Sequence, residues 1–145
     1  MAITSAICTS FKQELLVGTH NFTATTGNTF KIALFTSSAS LGASTTAYST
    51  SNEITNSSGT AYTSGGATLT SVTPTTSGTT ALCDFADISF TSATITARGA
   101  LIYNNSKSNA AIAVLDFGSD FSSSNGTFTV QFPTAAHNTA LIRIS

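Results

Sequence analysis

Apolar and polar residues alternate with a period of two along much of this chain. The clearest case is Phe30-Lys31-Ile32-Ala33-Leu34-Phe35, where Phe30, Ile32 and Leu34 share one face of a predicted strand and point into a core. From residue 61 onward, short strand signals recur at 67–72, 80–85, 88–91, 94–103, 110–117, 127–132 and 140–144. Turn-forming residues separate them at 74–78, 104–109, 118–126 and 133–138. About eight strands at this spacing, with no helical crossovers between them, predict an all-β fold: an antiparallel β-sandwich, jelly-roll-like.

One segment breaks the pattern. In Ser10-Phe11-Lys12-Gln13-Glu14-Leu15-Leu16-Val17-Gly18, residues Phe11, Leu15 and Leu16 make an apolar stripe, Ser10 and Gln13 form a capping box, and Gly18 is a C′ stop. The prediction is one short N-terminal α-helix of about two turns, too short to be stable alone, whose stripe docks on the edge or end of a sheet. Residues 36–60 form a connection rich in Ser, Thr and Gly, with short candidate strands only around Tyr48 and Ile54. A connection of that length in a compact domain is expected to be functional or mobile, which makes it the first candidate for a contact loop. No repeat or boundary interrupts the chain, so residues 1–145 are expected to form a single β-sandwich domain with an N-terminal segment and helix over about 1–18.

Composition sharpens this picture. Hydrophobic residues make up 41% of the 145 positions and the mean hydropathy is +0.22, outside the region of intrinsic disorder. Charged residues are only 8%, against roughly 25% in ordinary soluble domains. Ser and Thr, about a third of the chain, take their place. Such a surface is hydroxyl-rich and offers little repulsion to keep copies apart, which suits a subunit of an assembly.

The net charge of −1, with Lys12, Lys31, Arg98, Lys107 and Arg143 as the only cations, does not supply the phosphate contacts that nucleic-acid affinity is built from. Residues 1–9 lack a basic n-region, and no apolar run reaches the length of a membrane span, so no membrane partner and no secretion are expected. Cys8 and Cys83 follow no metal-ligand spacing and are expected to be buried free thiols. Four matches to the N-glycosylation sequon, at Asn21, Asn56, Asn104 and Asn125, are what a chain so rich in Ser and Thr produces by chance.

The chemical inventory is sparse. His20, just beyond the helix, and His137, in a turn, read as loop residues whose joint replacement by Gln is expected to be silent. No G-x-S-x-G elbow, H-E-x-x-H pair or phosphate-cradling loop occurs. Asp84 and Asp87, and Asp116 and Asp120, offer oxygens near turns but no EF-hand pattern, and read as turn-capping residues rather than calcium ligands. Arg98 and Asp116 are lone charges on consecutive predicted strands, so a hairpin across 104–109 brings them within about one register step, where they pair; an intersubunit bridge is the functional alternative. The chain has no Trp, only Tyr48, Tyr62 and Tyr103, and ten Phe expected in the core, which is a poor platform for sugars. No catalytic, cofactor-binding or metal-binding residue is assigned, and no enzymatic activity or cofactor is expected.

The order of motifs does carry a resemblance. Phe11-Lys12-Gln13-Glu14-Leu15-Leu16, then Phe30-Lys31-Ile32-Ala33-Leu34-Phe35, Ala61-Tyr62-Thr63-Ser64-Gly65-Gly66, Ala97-Arg98-Gly99-Ala100-Leu101-Ile102-Tyr103-Asn104 and Ala113-Val114-Leu115-Asp116-Phe117-Gly118 resemble small virion structural proteins of tailed bacteriophages. The resemblance spans most of the chain and its motifs are structural. Related sequences often have Gly where this chain has Ala61, a departure that touches turn geometry and no site.

The resemblance implies a virion structural protein, on the head or on the tail. Lacking a basic face or a pocket motif, the chain fits a capsid decoration (cement) protein on the outer capsid surface, made in the host cytoplasm. The implied partners are the major capsid protein or other virion proteins and sister copies, reached through residues 36–60 and 2–7. A tail or baseplate component is the first alternative and a carbohydrate-binding β-sandwich module the second.

Overall fold

Strand formation here follows side-chain shape: β-branched and aromatic residues at alternate positions pack onto pleated surfaces. The computed structural model describes residues 2–55 and 61–145. In chain order its elements are β1 (Ala6–Ile7), α1 (Thr9–Leu16), β2 (Phe30–Phe35), β3 (Ala67–Thr68), β4 (Ser71–Ser77), β5 (Thr80–Phe85), β6 (Ile88–Asn104), β7 (Ala110–Val130) and β8 (Ile142–Ile144). They form two antiparallel sheets, ordered β1-β7-β6-β2-β3 and β4-β5-β8. Among the described residues the fold is all-β and sandwich-like with one short helix, a five-stranded sheet and a three-stranded sheet.

The two sheets are joined by aromatic rings. Phe22 stacks on Phe30 at 4.3 Å, Phe30 meets Phe85 at 5.7 Å, Phe85 meets Phe132 at 5.9 Å, and Phe11 of α1 stands edge-on to Phe22 at 5.9 Å. Offset and tilted pairs at these separations are favourable beyond the area they bury.

β2 is buried on both faces rather than one: Phe30, Ile32, Ala33 and Leu34 are inaccessible and Phe35 nearly so. The second face is covered by the connection that follows it, where Phe35 lies with Leu41, Ala47 and Asn52. That connection, expected to be mobile or a contact loop, is a cover for the sheet. Ala39 and Ile54 are buried in it, and single bridges tie Leu41 to Ile3, Ala47 to Ala110 and Glu53 to Phe35. The candidate strands around Tyr48 and Ile54 are these bridges. Residues 56–60 of the connection lie outside the described residues.

The N-terminal segment, also expected to be a free contact element, is woven in as well. Ala6 and Ile7 pair with Val114 and Ala113 of β7, and Thr4 N–H donates to the Leu41 carbonyl at 2.9 Å. Ile3 is 7% exposed and packs over Gly99, where an added Cβ would lie 2.6 Å from the Leu115 carbonyl oxygen and 2.9 Å from Ile3. A side chain at position 99 would lift this segment off the sheet.

The predicted runs at 88–91 and 94–103 merge into β6, and those at 110–117 and 127–132 merge into β7, giving one long hairpin. The turn expected at 118–126 is instead strand. Ala97 pairs with Phe121 and Gly99 with Asp116, so residues 117–120 of β7 bulge opposite the single residue Arg98. Gly118 at φ 83° and Asn125 at φ 45° adopt the left-handed region in this stretch. Their turn-forming chemistry is used for bulges, which need the same backbone. Pro74, also expected in a turn, sits within β4, an edge strand, at the register shift between Val72 and Thr75. The run at 67–72 divides, with Ala67–Thr68 in the large sheet and Ser71 onward in the small one.

α1 ends as expected. Gly18 takes φ 75°, its N–H donates to Leu15 and the Thr19 N–H donates to Glu14, the paired bonds of a Schellman stop. Its start differs: Cys8 is the N-cap residue, without a side-chain cap bond, and Ser10 lies inside the helix with its hydroxyl buried and unpartnered. The docking stripe is Phe11 with Leu15, whereas Leu16 faces solvent at 88% exposure.

Candidate functional site

Two polar clusters organise the described residues. The first is centred on Glu53, the only acid between Glu14 and Asp84. Its Oε1 accepts from the Tyr62 hydroxyl at 2.7 Å and the Gly65 N–H at 2.7 Å; its Oε2 accepts from the Tyr48 hydroxyl at 2.6 Å and the Ser64 hydroxyl at 3.0 Å. The Tyr62 oxygen accepts the Leu34 N–H at 2.8 Å, and the Tyr103 hydroxyl donates to the Gly65 carbonyl at 2.6 Å. Tyr48 and Tyr103 stack at 4.6 Å.

All three tyrosines of the chain therefore converge on one carboxylate and the Gly65-Gly66 turn. Burial, followed by the Glu53 contact, raises Tyr62 above the usual phenol range; burial takes Tyr103 up to about 12; burial and Glu53 raise Tyr48. All three hydroxyls thus stay protonated as donors at neutral pH. A carboxylate held by four donors is saturated, so the cluster acts as a pin holding the 36–55 connection to β2 and β6. Gly66 is required beside it: at φ 79°, a Cβ would lie 1.7 Å from the Ile32 carbonyl oxygen.

The second cluster is a chain from α1 to the end of the hairpin. Asn104, fully buried, accepts the Ser106 N–H on Oδ1 at 3.0 Å, which fixes the orientation of its amide. Its Nδ2 then donates to Asn28 Oδ1 and to His20 Nδ1, both at 2.9 Å. His20 Nδ1 must accept, so the proton sits on Nε2, which donates to Glu14 Oε1 at 3.1 Å. The His20 side chain is completely buried, 5.0 Å from the Phe11 ring. Read from sequence as a loop residue, it has loop backbone but belongs to the core. His137 is the exposed loop residue expected.

Glu14, His20 and Asn104 have the donor order of a catalytic relay, but the groups beside them are not activated. Burial, followed by Glu14, pushes the Cys8 thiol up to about 11, and burial, followed by Asp84, pushes Cys83 up to about 12. Both are buried free thiols, as expected. At these values the thiolate is a negligible fraction at neutral pH.

The acidic candidates separate. Asp84 is buried inside β5, its Oδ1 accepting the Phe85 N–H at 2.9 Å and its Oδ2 without a partner. Burial raises its pKa, partly offset by the N–H groups of Phe85 and Leu141. Asp87 caps the end of β7 through the Phe132 N–H at 2.7 Å. Asp116 accepts Arg98 Nε at 3.3 Å within the chain, the pair expected from the hairpin, and the Gly118 N–H followed by Arg98 lowers its pKa. Among the described residues no three His, Cys, Asp or Glu gather as a metal site.

Sequence reasoning missed Glu53 and undervalued His20. A lone acid in an uncharged stretch, between Tyr48 and Tyr62, was the available signal for the first. For the second there was none, because His20 and Asn104 are 84 positions apart.

Two surface features complete the inventory. Beside α1, an apolar groove of about 170 Å³ is lined by Phe11, Leu15, Pro74, Leu82, Ile142 and Ile144. Ile144, at 59% exposure, forms part of its wall, and Leu16 at 88% and Val17 at 67% are exposed at the end of α1. Along β7 a second groove of about 480 Å³ is lined by Leu115, Phe117, Phe121, Phe128 and Val130 among others. No protein-family model, curated protein or solved structure matches the chain.

Proposed function

We propose that this chain is a non-enzymatic structural subunit of a bacteriophage virion, a decoration (cement) protein held on the outer capsid surface by contacts with the major capsid protein. The observation that carries the reading is exposed apolar surface: the groove beside α1, which Ile144 lines, and the solvent-facing Leu16 and Val17 at the end of that helix. Exposed apolar surface is unfavourable in water by about 25 cal/mol per Å², and contiguous patches mark interaction sites. With five basic and six acidic residues in the chain, contacts rest on apolar burial and hydroxyl hydrogen bonds rather than ion pairs. The resemblance to virion structural proteins supplies the setting, and the two closed polar networks support a rigid scaffold role.

The test is to purify virions of the phage encoding the chain, separate heads from tails, and quantify the subunit in each. Recovery on heads, retained in high salt and reduced by Leu16→Ser with Val17→Ser, is the expected result. Recovery on tails makes it a tail or baseplate component. Absence from particles, or release by salt alone, overturns the cement reading.

A further inference from the structure

We infer that the chain Glu14–His20–Asn104 is a proton-operated latch: a second proton on His20 keeps its bond to Glu14, breaks the one to Asn104, and frees residues 19–28 from the end of β6. The inference stands on hydrogen-bond polarity and goes beyond the proposed function without depending on it.

The polarity is set at both ends by backbone N–H groups, which only donate. The Ser106 N–H donates to Asn104 Oδ1 at 3.0 Å, and the Asn21 N–H donates to Asn28 Oδ1 at 2.9 Å. Asn104 Nδ2 therefore faces Asn28 Oδ1 and His20 Nδ1, both at 2.9 Å. Turning the Asn104 amide over would set Nδ2 against the Ser106 N–H and Oδ1 against Asn28 Oδ1, so the donor facing His20 is fixed. Neutral His20 fits it, with Nδ1 accepting and Nε2 donating to Glu14 Oε1 at 3.1 Å. A protonated imidazole is a donor at both nitrogens, and its Nδ1–H would meet Nδ2–H with no acceptor between them. The His20 side chain is fully buried, so water does not relieve the collision while the junction stays closed.

Glu14 makes the proton admissible. It lies on α1 with its side chain 25% exposed and is the one charged partner of His20 among the described residues. An imidazolium is a stronger donor to a carboxylate than an imidazole is. The other groups around the ring carry no charge: Phe11 of α1 at 5.0 Å, Phe22 at 6.3 Å and Asn104 of β6. Cys8, ahead of α1, is held as a thiol by burial and then by Glu14, and Lys12 and Lys107 are exposed. Glu14 and Asn104 thus set opposite requirements on one ring, the first accepting an imidazolium and the second only an imidazole.

The release is local. The Thr29 N–H donates to Ser106 Oγ at 2.8 Å and the Asn105 N–H to the Thr29 carbonyl at 2.8 Å, bonds that do not involve the ring. The start of α1 is held separately, by the Cys8 N–H on the Ile112 carbonyl at 2.9 Å and the Thr9 N–H on the Ala43 carbonyl at 2.8 Å. What loosens is the end of α1 with the segment after it, moving with His20.

The test is nitrogen-15 NMR of the His137→Gln chain, in which every histidine signal belongs to His20, between about pH 8 and pH 4, across the range of ordinary histidine protonation. At the upper end His20 is expected as the Nε2–H tautomer. As it takes its second proton, the buried Asn104 carboxamide protons should exchange at least about tenfold faster, after correction for the intrinsic effect of pH, while the amides of the β2–β6 pairing stay protected. Asn104→Asp puts an acceptor opposite Nδ1, so in that variant His20 should protonate at higher pH with the junction still closed. Should the variant fail to fold, the titration of the chain with Asn104 intact decides alone. An Nδ1–H tautomer at neutral pH overturns the inference, as does a protonated His20 beside a still-protected Asn104 amide. So does a His20 that stays neutral until the whole chain unfolds, or a folded Asp variant that protonates at no higher pH.

Discussion

Removing the Glu53 carboxylate is the most direct test of the view that this molecule is held together by a few polar hubs. In Glu53→Ala four donors lose their acceptor. Ser64 is exposed and Tyr48 half-buried, so both recover water; the Tyr62 hydroxyl and the Gly65 N–H are the two that bear the loss. Hydrogen bonds to a charged group contribute about 1.5–3 kcal/mol each. Two of them, allowing for partial rehydration, give an expected loss of about 3–5 kcal/mol.

A domain of this size is stable by about 5–15 kcal/mol, and a loss of about 3–5 kcal/mol lowers the melting temperature by roughly 10–16 °C. Glu53→Gln keeps one carbonyl oxygen for Tyr62 and Gly65 and presents an amide donor to Tyr48, so its cost is about 1–2 kcal/mol. Urea denaturation of the three proteins, with hydrogen exchange across residues 36–55, measures both. The reasoning fails if Glu53→Ala costs less than about 0.5 kcal/mol, as surface substitutions do, or if Gln and Ala are equally damaging.

Gly66→Ala combines a left-handed φ with a collision against the Ile32 carbonyl and should cost more than about 4 kcal/mol or abolish folding, whereas Gly78→Ala, at φ 61° with open space around it, should cost about 1 kcal/mol; equal effects in denaturation would contradict the close approach. Asp84 has a folded pKa above its ordinary value of 3.8, so its protonated form favours the fold below that pH and the benefit is lost as pH rises through the folded value. Asp84→Asn should therefore stabilise the fold at neutral pH and not near pH 3, and a destabilised variant at neutral pH would show that the charge is compensated. His20→Gln should cost about 2–3 kcal/mol by breaking a buried chain of hydrogen bonds, while His137→Gln stays within about 0.5 kcal/mol; the silence expected from sequence for both is retained for His137 alone, and thermal melts of the two single variants separate them.

What the residues determined unaided is whatever depends on near neighbours. The period of two at Phe30-Lys31-Ile32 and in the later runs requires strands, whichever strands they pair with, and the apolar stripe of period 3.6 at Phe11 and Leu15 marks α1, the one helix among the described residues, stopped by Gly18 because a left-handed residue there closes the last turn. The Arg98–Asp116 pair was legible for the same reason, since a hairpin joins them locally.

Tertiary structure decided everything that depends on a distant partner. Gly118 and Asn125 permit a turn and a bulge alike, and only pairing with β6 selects the bulge and extends β7 through both. Residues 2–7 and the connection after β2 look unplaced along the chain, yet they lie where the large sheet has an uncovered face and an open edge. Glu53 becomes a hub because the fold brings three tyrosines and the Gly65 amide to its two oxygens. His20 becomes core because Asn104 arrives from the far end of β6 with its amide already oriented. Hydrogen-bond saturation is a property of assembled neighbours, and no spacing in the sequence encodes it.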